Sequence, residues 1–160
     1  MIRSLAVLLA FAWPMGAAAQ DAGIGFGAGA FDRSAPVEVT ADSLTTDRAE
    51  GVAVLTGNVV VVQGDLRLAA REVVVRYATG GEGSGRIERL EAEGDVVIVS
   101  GADAAEGEAA VYTLGSGEVV MTGDVVVTQG DATVAGDRVA VNLETGVGTV
   151  TGRVRTVLQP

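Results

Sequence analysis

Apolar and polar residues follow a strand-like pattern along most of the chain, and one ten-residue block recurs. Segments 56–65 and 122–131 both read Thr-Gly-Asn/Asp, three valines, Val or Thr, then Gln-Gly-Asp, and 93–103 holds a degraded copy. Val and Ile favour strands because branching at Cβ packs well on a pleated surface. Gly beside Asn or Asp favours turns because these residues tolerate positive φ. The block therefore predicts a turn, a strand, a second turn and a further strand.

The spacing of these turns predicts stacked units. Asp42, Gly51 and Gly57 recur at a constant offset as Asp137, Gly146 and Gly152. Repeats of about 20–50 residues, such as the recurring block and its copies, are typical of thin units that bury their apolar faces against one another. No window has a helical period, and runs of four valines suit both a β-jelly-roll of stacked hairpins and a parallel β-solenoid. Strands are predicted at 37–41, 52–56, 58–63, 66–69, 72–77, 86–92, 95–100, 108–114, 118–121, 124–129, 131–135, 138–143, 147–151 and 153–158.

The first 35 residues differ from this pattern. Arg3, the apolar run 5–13 and the small residues Ala17–Ala19 are typical of a secretory signal peptide, predicted at 1–19. An uncleaved membrane anchor is the alternative. Residues 20–35 alternate Gly with other residues and are predicted to be a flexible linker. The folded domain is expected at 36–160.

Composition excludes several kinds of chemistry. The chain has no Cys and no His, all 11 basic residues are Arg, and the net charge is −10. Nucleic acid is therefore an unexpected partner, and a serine nucleophile would have no His or Lys base. Glu91, Glu93 and Asp95 alternate along one strand face, but there is no aromatic platform for a sugar, so a solvated face is the better interpretation. We expect no enzyme, no cofactor and no metal site.

The ends of the predicted sheet are the remaining candidates for function. From residue 36 onward the aromatic residues are two tyrosines, which predicts an aliphatic core. The first and last strands, 37–41 and 153–158, are natural edges. An edge strand presents unpaired N–H and C=O groups and can add a strand from a partner.

Four segments taken together resemble the LptA/OstA family of periplasmic lipopolysaccharide transport proteins. They are residues 36–42, 56–65, 70–77 and 153–160, in the family's order and spacing. The resemblance implies an all-β, twisted β-jelly-roll that is V-shaped in section, with an open apolar groove and no hydrolytic activity. It implies end-to-end stacking across the periplasm, with an LptC-like inner-membrane protein at the N-terminal edge. An LptD-like outer-membrane protein, or a second copy, is implied at the C-terminal edge.

The resemblance also implies roles for residues. The acyl chains of lipopolysaccharide would lie against apolar side chains, because burying each methylene contributes about 0.8 kcal/mol. Arg76 matches a basic position and is the candidate for the headgroup. The groove candidates are Val37, Val39, Val59, Val61, Ile98, Tyr112 and Leu114. The candidate partner edges are Val37, Glu38, Val39 and Thr40, and Arg153, Val154, Arg155, Thr156, Val157 and Leu158.

Two alternatives remain open from the sequence. One is a structural β-solenoid or polymer subunit that binds no ligand. The other is an LptC-like membrane-anchored partner, which an uncleaved first segment would favour.

Overall fold

The structure, a computed structural model, describes residues 23–26, 32, 34–82 and 84–158. These residues form eleven strands and no helix, so the described chain offers no helical segment able to cross a membrane. The predicted signal peptide at 1–19 lies outside the described residues. The strands are β1 Gly23–Gly25, β2 Glu38–Thr40, β3 Ser43–Asp47, β4 Val52–Gln63, β5 Leu66–Tyr77, β6 Ile87–Ser100, β7 Asp103–Thr113, β8 Glu118–Gln129, β9 Ala132–Asn142, β10 Val147–Thr151 and β11 Arg155–Leu158.

All strand pairs in the described chain are antiparallel, and β4 to β10 each pair with their neighbours in sequence. Short hairpin turns can connect such strands, which accounts for the Gly-rich turns of the repeat. The parallel β-solenoid is therefore wrong, and the predicted all-β antiparallel fold is confirmed. The sheet does not close, and its two ends are formed by different strands.

The long strands bend sharply near their middle. The pairing register shifts at each bend, for example between Thr56 and Val59 and between Thr122 and Val125. Gly57 and Asn58 both have positive φ there, as do the equivalent pairs at 94–95, 123–124 and 152–153. These Gly-Xaa pairs were predicted as turns between strands. They have the predicted positive φ, but at 57–58, 94–95 and 123–124 the strand continues through them as a bulge, which bends and twists it. At 152–153 the chain does leave the strand as predicted, because β10 ends at Thr151 and β11 begins at Arg155.

The bends divide the sheet into two layers that share one core. Inward-facing side chains of both layers are apolar and alternate with more exposed residues. Layer one contains β2, β11 and segments 59–63, 66–70, 96–100, 103–107, 125–129 and 132–135. Layer two contains β1, β3, β10 and segments 52–56, 72–77, 87–93, 109–113, 118–122 and 138–142.

The N-terminal segment gives a second difference from the sequence expectation. Residues 23–25, inside the predicted linker, pair with β10, and Phe26 is buried between the layers with 3% of its surface exposed. The expected aliphatic core therefore includes a phenylalanine. Its ring enters from outside the region in which the core was expected, so the strand pattern gave no sign of it.

Candidate functional site

The apolar interior between the layers is the candidate functional site. Among the predicted groove residues, Val59 on β4 and Ile98 on β6 are almost fully buried, the first toward the N-terminal end of the sheet and the second near its middle. The structure therefore brings the predicted set together in one interior, as its members are either buried in this core or packed against it. Buried are Val59, Val61, Ile98 and Tyr112, and partly buried are Val37, Val39 and Leu114.

A polar contact crosses this interior. The hydroxyl of Tyr112 in layer two donates to Oε1 of Gln63 in layer one, at 3.0 Å. Gln63 Nε2 in turn donates to the carbonyl oxygen of Ala35 at 3.1 Å. Because each group has a partner, the buried amide and phenol are held at little cost. The contact links the layers along their open side, where the hairpin turns of layer one lie.

Ser100 has the same place in the repeat as Gln63 and Gln129, one residue before a Gly turn. Its side chain is buried, and its Oγ is the buried side-chain atom left without a hydrogen-bond partner within the described chain. A buried hydroxyl in this state costs about 1–3 kcal/mol. The side chains that sequence reasoning missed are thus Gln63, Ser100 and Gln129, of which Gln63 donates to Ala35 and Gln129 to Gly25. Their common position in the repeat was the signal that could have identified them.

The interior is filled at the end formed by β10 and β11. Phe26 lines a small cavity together with residues of both layers, including Ile98 and Val127 of layer one and Met121 of layer two. The free cavity beside it is about 10 Å³, which is too small for an acyl chain. Gln129 Nε2 donates to the carbonyl oxygen of Gly25 at 2.7 Å, so a residue at the open side of layer one also contacts this segment.

Arg76 lies outside the interior. Its guanidinium forms two hydrogen bonds with Glu91, Nε to Oε1 at 2.8 Å and Nη2 to Oε2 at 3.1 Å. The hydrogen bonds from Arg76 lower the pKa of Glu91 below its usual value. Arg76, Arg86 and Arg89 also line an open surface depression, with Leu114 as an apolar neighbour. Glu88 also lines the depression, and Glu91 is paired with Arg89 as well as Arg76, so the three arginines outnumber the two carboxylates by one.

The predicted partner edges lie at opposite ends of layer one. β2 pairs only with β4, and β11 pairs only with β9, within the described residues. The C-terminal strand begins at Arg155, two residues later than predicted. Arg153 instead occupies the last bend and forms ion pairs with Asp124 and Asp137. Val157 and Leu158 expose 51% and 72% of their surface at this edge.

No group of three or more acidic side chains in the described ranges is arranged to hold a metal ion. The geometry defines a class of protein: an open two-layered β-sheet with an apolar interior and a free edge strand at each end. Residues 38–147 match the model of the LptA/(LptD N-terminal domain) LPS transport protein family. The chain belongs to this family, as its resemblance predicted. It is a family of transport proteins and not of enzymes.

Two similar proteins support this placement. An uncharacterized protein of Rhizobium meliloti (strain 1021) is 36% identical over 92 residues, which are 55% of this chain and 50% of that protein. The chain thus spans about half the length of that relative. The crystal structure of LptH, the LptA homologous periplasmic component of the lipopolysaccharide transport device from Pseudomonas aeruginosa, superposes with a TM-score of 0.72. It is 24% identical, and the match covers 81% of this chain and 99% of LptH, which shows a shared fold.

Proposed function

We propose that the protein is a periplasmic carrier that binds lipopolysaccharide by its acyl chains and bridges the inner and outer membranes in end-to-end assemblies. The observation that carries this is the apolar interior, which extends from the β2 and β3 end of an unclosed sheet to the β10 and β11 end. Family membership and the likeness to LptH support it. Export through a cleaved signal peptide at 1–19 and a domain at 36–160 are part of the proposal.

The chemistry of the interior favours acyl chains over sugars. Its lining is Val, Leu, Ile, Ala and Met with Phe26 and Tyr112, and it has few polar groups that would have to be desolvated. The net charge of −10 opposes an anionic saccharide inside the protein. The sugars would therefore face water along the open side of the two layers, while acyl chains enter between them.

Headgroup phosphates would lie at the surface depression of layer two. Arg76 keeps its proposed role, now together with Arg86 and Arg89, since all three side chains line this depression. Arginine recognises phosphate by charge-assisted, often bidentate hydrogen bonds. Glu91 already accepts hydrogen bonds from Arg76. We therefore propose that Arg76 binds the phosphate together with Arg86 and Arg89, and not as the main contact.

The edge strands would supply the partner contacts. β2 would meet an LptC-like inner-membrane protein, and β11 an LptD-like outer-membrane protein or a second copy. Main-chain hydrogen bonds across such an added strand give affinity without requiring particular side chains.

A titration tests the carrier function. The protein is titrated with lipopolysaccharide and with the same molecule stripped of its acyl chains. We expect saturable binding of the acylated form alone. Equal binding of both forms would show recognition of the sugars, and no binding of either would favour a purely structural polymer subunit.

The site is tested by photo-crosslinking from matched positions. Tyr112 faces the interior, whereas its neighbour Val111 is on the other face of the same strand. A photoreactive residue at 112 is expected to crosslink lipopolysaccharide, and the same residue at 111 is not. Crosslinks of equal yield from both positions would contradict an interior site.

A further inference from the structure

Residues Gly23–Phe26 occupy the end of the interior that is formed by β10. The three residues of β1 pair with the outer edge of β10, with Gly23 opposite Thr149 and Gly25 opposite Val147. β11 pairs with β9 beside β10, so β1 lies at the C-terminal end of the fold. The segment thus lies across the C-terminal end of the interior. On the proposed function, a lipid would leave through this end to reach the next protein.

Phe26 closes this end from within. Its ring is buried in the shared core and lines one small cavity together with Ile98 and Val127 of layer one and Met121 and Val141 of layer two. The cavity of about 10 Å³ that remains has room for about one water molecule at most, since a site for one water needs roughly 10–15 Å³ on this measure. An acyl chain and the Phe26 ring therefore cannot occupy this part of the interior together.

The attachment of the segment is suited to displacement. It consists of a three-residue strand, one aromatic ring and the hydrogen bond from Gln129 to Gly25. Two of its residues are glycines, which lose much conformational entropy when they are ordered. An acyl chain offers many methylenes to the same apolar lining in place of one ring, so the balance favours the lipid.

We propose that Gly23–Phe26 is an intramolecular cap that fills the C-terminal end of the interior until the acyl chains of a lipid displace it. The inference rests on the proposed function, and the ligand is defined by its chemistry: an amphiphile with long acyl chains. The cap keeps the apolar interior from water in the unloaded protein. The empty and loaded states then differ in what occupies this end of the interior: the Phe26 ring in the empty protein and an acyl chain in the loaded protein.

A reversible crosslink tests the cap. The chain has no Cys, so the double variant Gly25→Cys/Val147→Cys can form only one intramolecular disulfide, between facing residues of β1 and β10. A Cβ at Gly25 has Gly146 O as its nearest neighbour at 3.8 Å, and Val147 is 66% exposed, so both positions have room. The control is Ser43→Cys/Thr56→Cys, which joins facing residues of β3 and β4 at the other end.

Binding of acylated lipopolysaccharide is then compared in the oxidised and reduced forms of each full-length, exported variant. We expect the oxidised Gly25–Val147 variant to bind at least tenfold more weakly than its reduced form, while the control binds equally in both. A companion variant, Phe26→Ala, is expected to bind more tightly than the unsubstituted protein.

Three results would overturn the cap. If the disulfide fails to form between positions 25 and 147 while the control disulfide forms, β1 does not pair with β10 in solution. Equal binding by oxidised and reduced forms would show that the segment does not block the lipid, and would leave the carrier function intact. Absence of binding in every form, Phe26→Ala included, would reject the carrier function together with the cap.

Discussion

Gly123 shows, at the scale of single residues, what a bend in these strands requires. Its φ is +86°, and a Cβ there would lie 2.6 Å from the Cβ of Glu108. Gly101, in a turn, has φ of +60° but no atom within 4 Å of such a Cβ. The two positions share the backbone conformation and differ in the space around it.

We expect Gly123→Ala to lower the free energy of unfolding by about 2–3 kcal/mol, because backbone strain and overlap add together. Gly101→Ala is the control and should cost about 1 kcal/mol, from strain alone. Chemical denaturation of both variants measures the difference. Equal losses would show that the close approach to Glu108 has no energetic consequence.

Ser100 gives a prediction of opposite sign. Its buried Oγ has no partner among the described residues, so Ser100→Ala removes an unsatisfied group at the cost of little volume. We expect an increase of about 1 kcal/mol in the free energy of unfolding. Tyr112→Phe is the comparison, because it removes a hydroxyl that donates to Gln63, and should decrease the free energy by about 1 kcal/mol. A loss of stability in Ser100→Ala would mean that the hydroxyl has a partner in solution.

The ion pair between β5 and β6 gives a pH dependence at the scale of strands. Hydrogen bonds from Arg76 lower the pKa of Glu91 below 4.5, its value without these contacts. A lowered pKa in the folded state means that the pair stabilises the fold fully above about pH 4.5. This contribution is lost as the pH falls through the pKa of the folded state.

Unfolding of the protein and of Glu91→Gln is therefore compared between pH 7 and pH 3. We expect the variant to be less stable by about 0.2–1 kcal/mol at pH 7, as for other pairs near a surface. The two should converge at low pH, because Glu91 is then protonated in both states of the protein. A difference that stays constant across the range would exclude the ion pair as its cause.

The strands also show how much of the fold could be predicted from sequence. Segments such as 72–77 and 95–100 were located because β-branched residues form their inner and outer faces. β3 was missed because Ser43–Asp47 is exposed throughout and carries no alternation. The first half of β7 was missed because it is rich in Ala and Glu, which are depleted in strands, although Ala105 is buried there. The interior candidates followed from the family resemblance, whereas Phe26 did not follow from any local pattern, since its burial depends on a tertiary contact.

At the scale of the whole molecule, the two ends of the sheet are not equivalent. In layer two the C-terminal end is covered by β1, and in layer one β11 is outermost. The N-terminal end exposes β2 and β3, where Leu44 is 61% exposed. End-to-end contacts between copies would therefore begin at layer one, with β11 of one copy beside β2 of the next.

A charge on β11 tests this arrangement. Leu158→Glu places a carboxylate on the outermost strand, where Leu158 is 72% exposed. We expect self-association, measured by sedimentation velocity over a concentration series, to weaken at least tenfold, because the contact would bury an unpaired charge. The matched control is Val147→Glu, which introduces the same charge at a residue of similar exposure on β10, inside the β1 edge. Both variants should unfold like the parent protein, since neither side chain is in the core. If both weaken association equally, the cause is net charge, and β11 is not the edge through which copies meet.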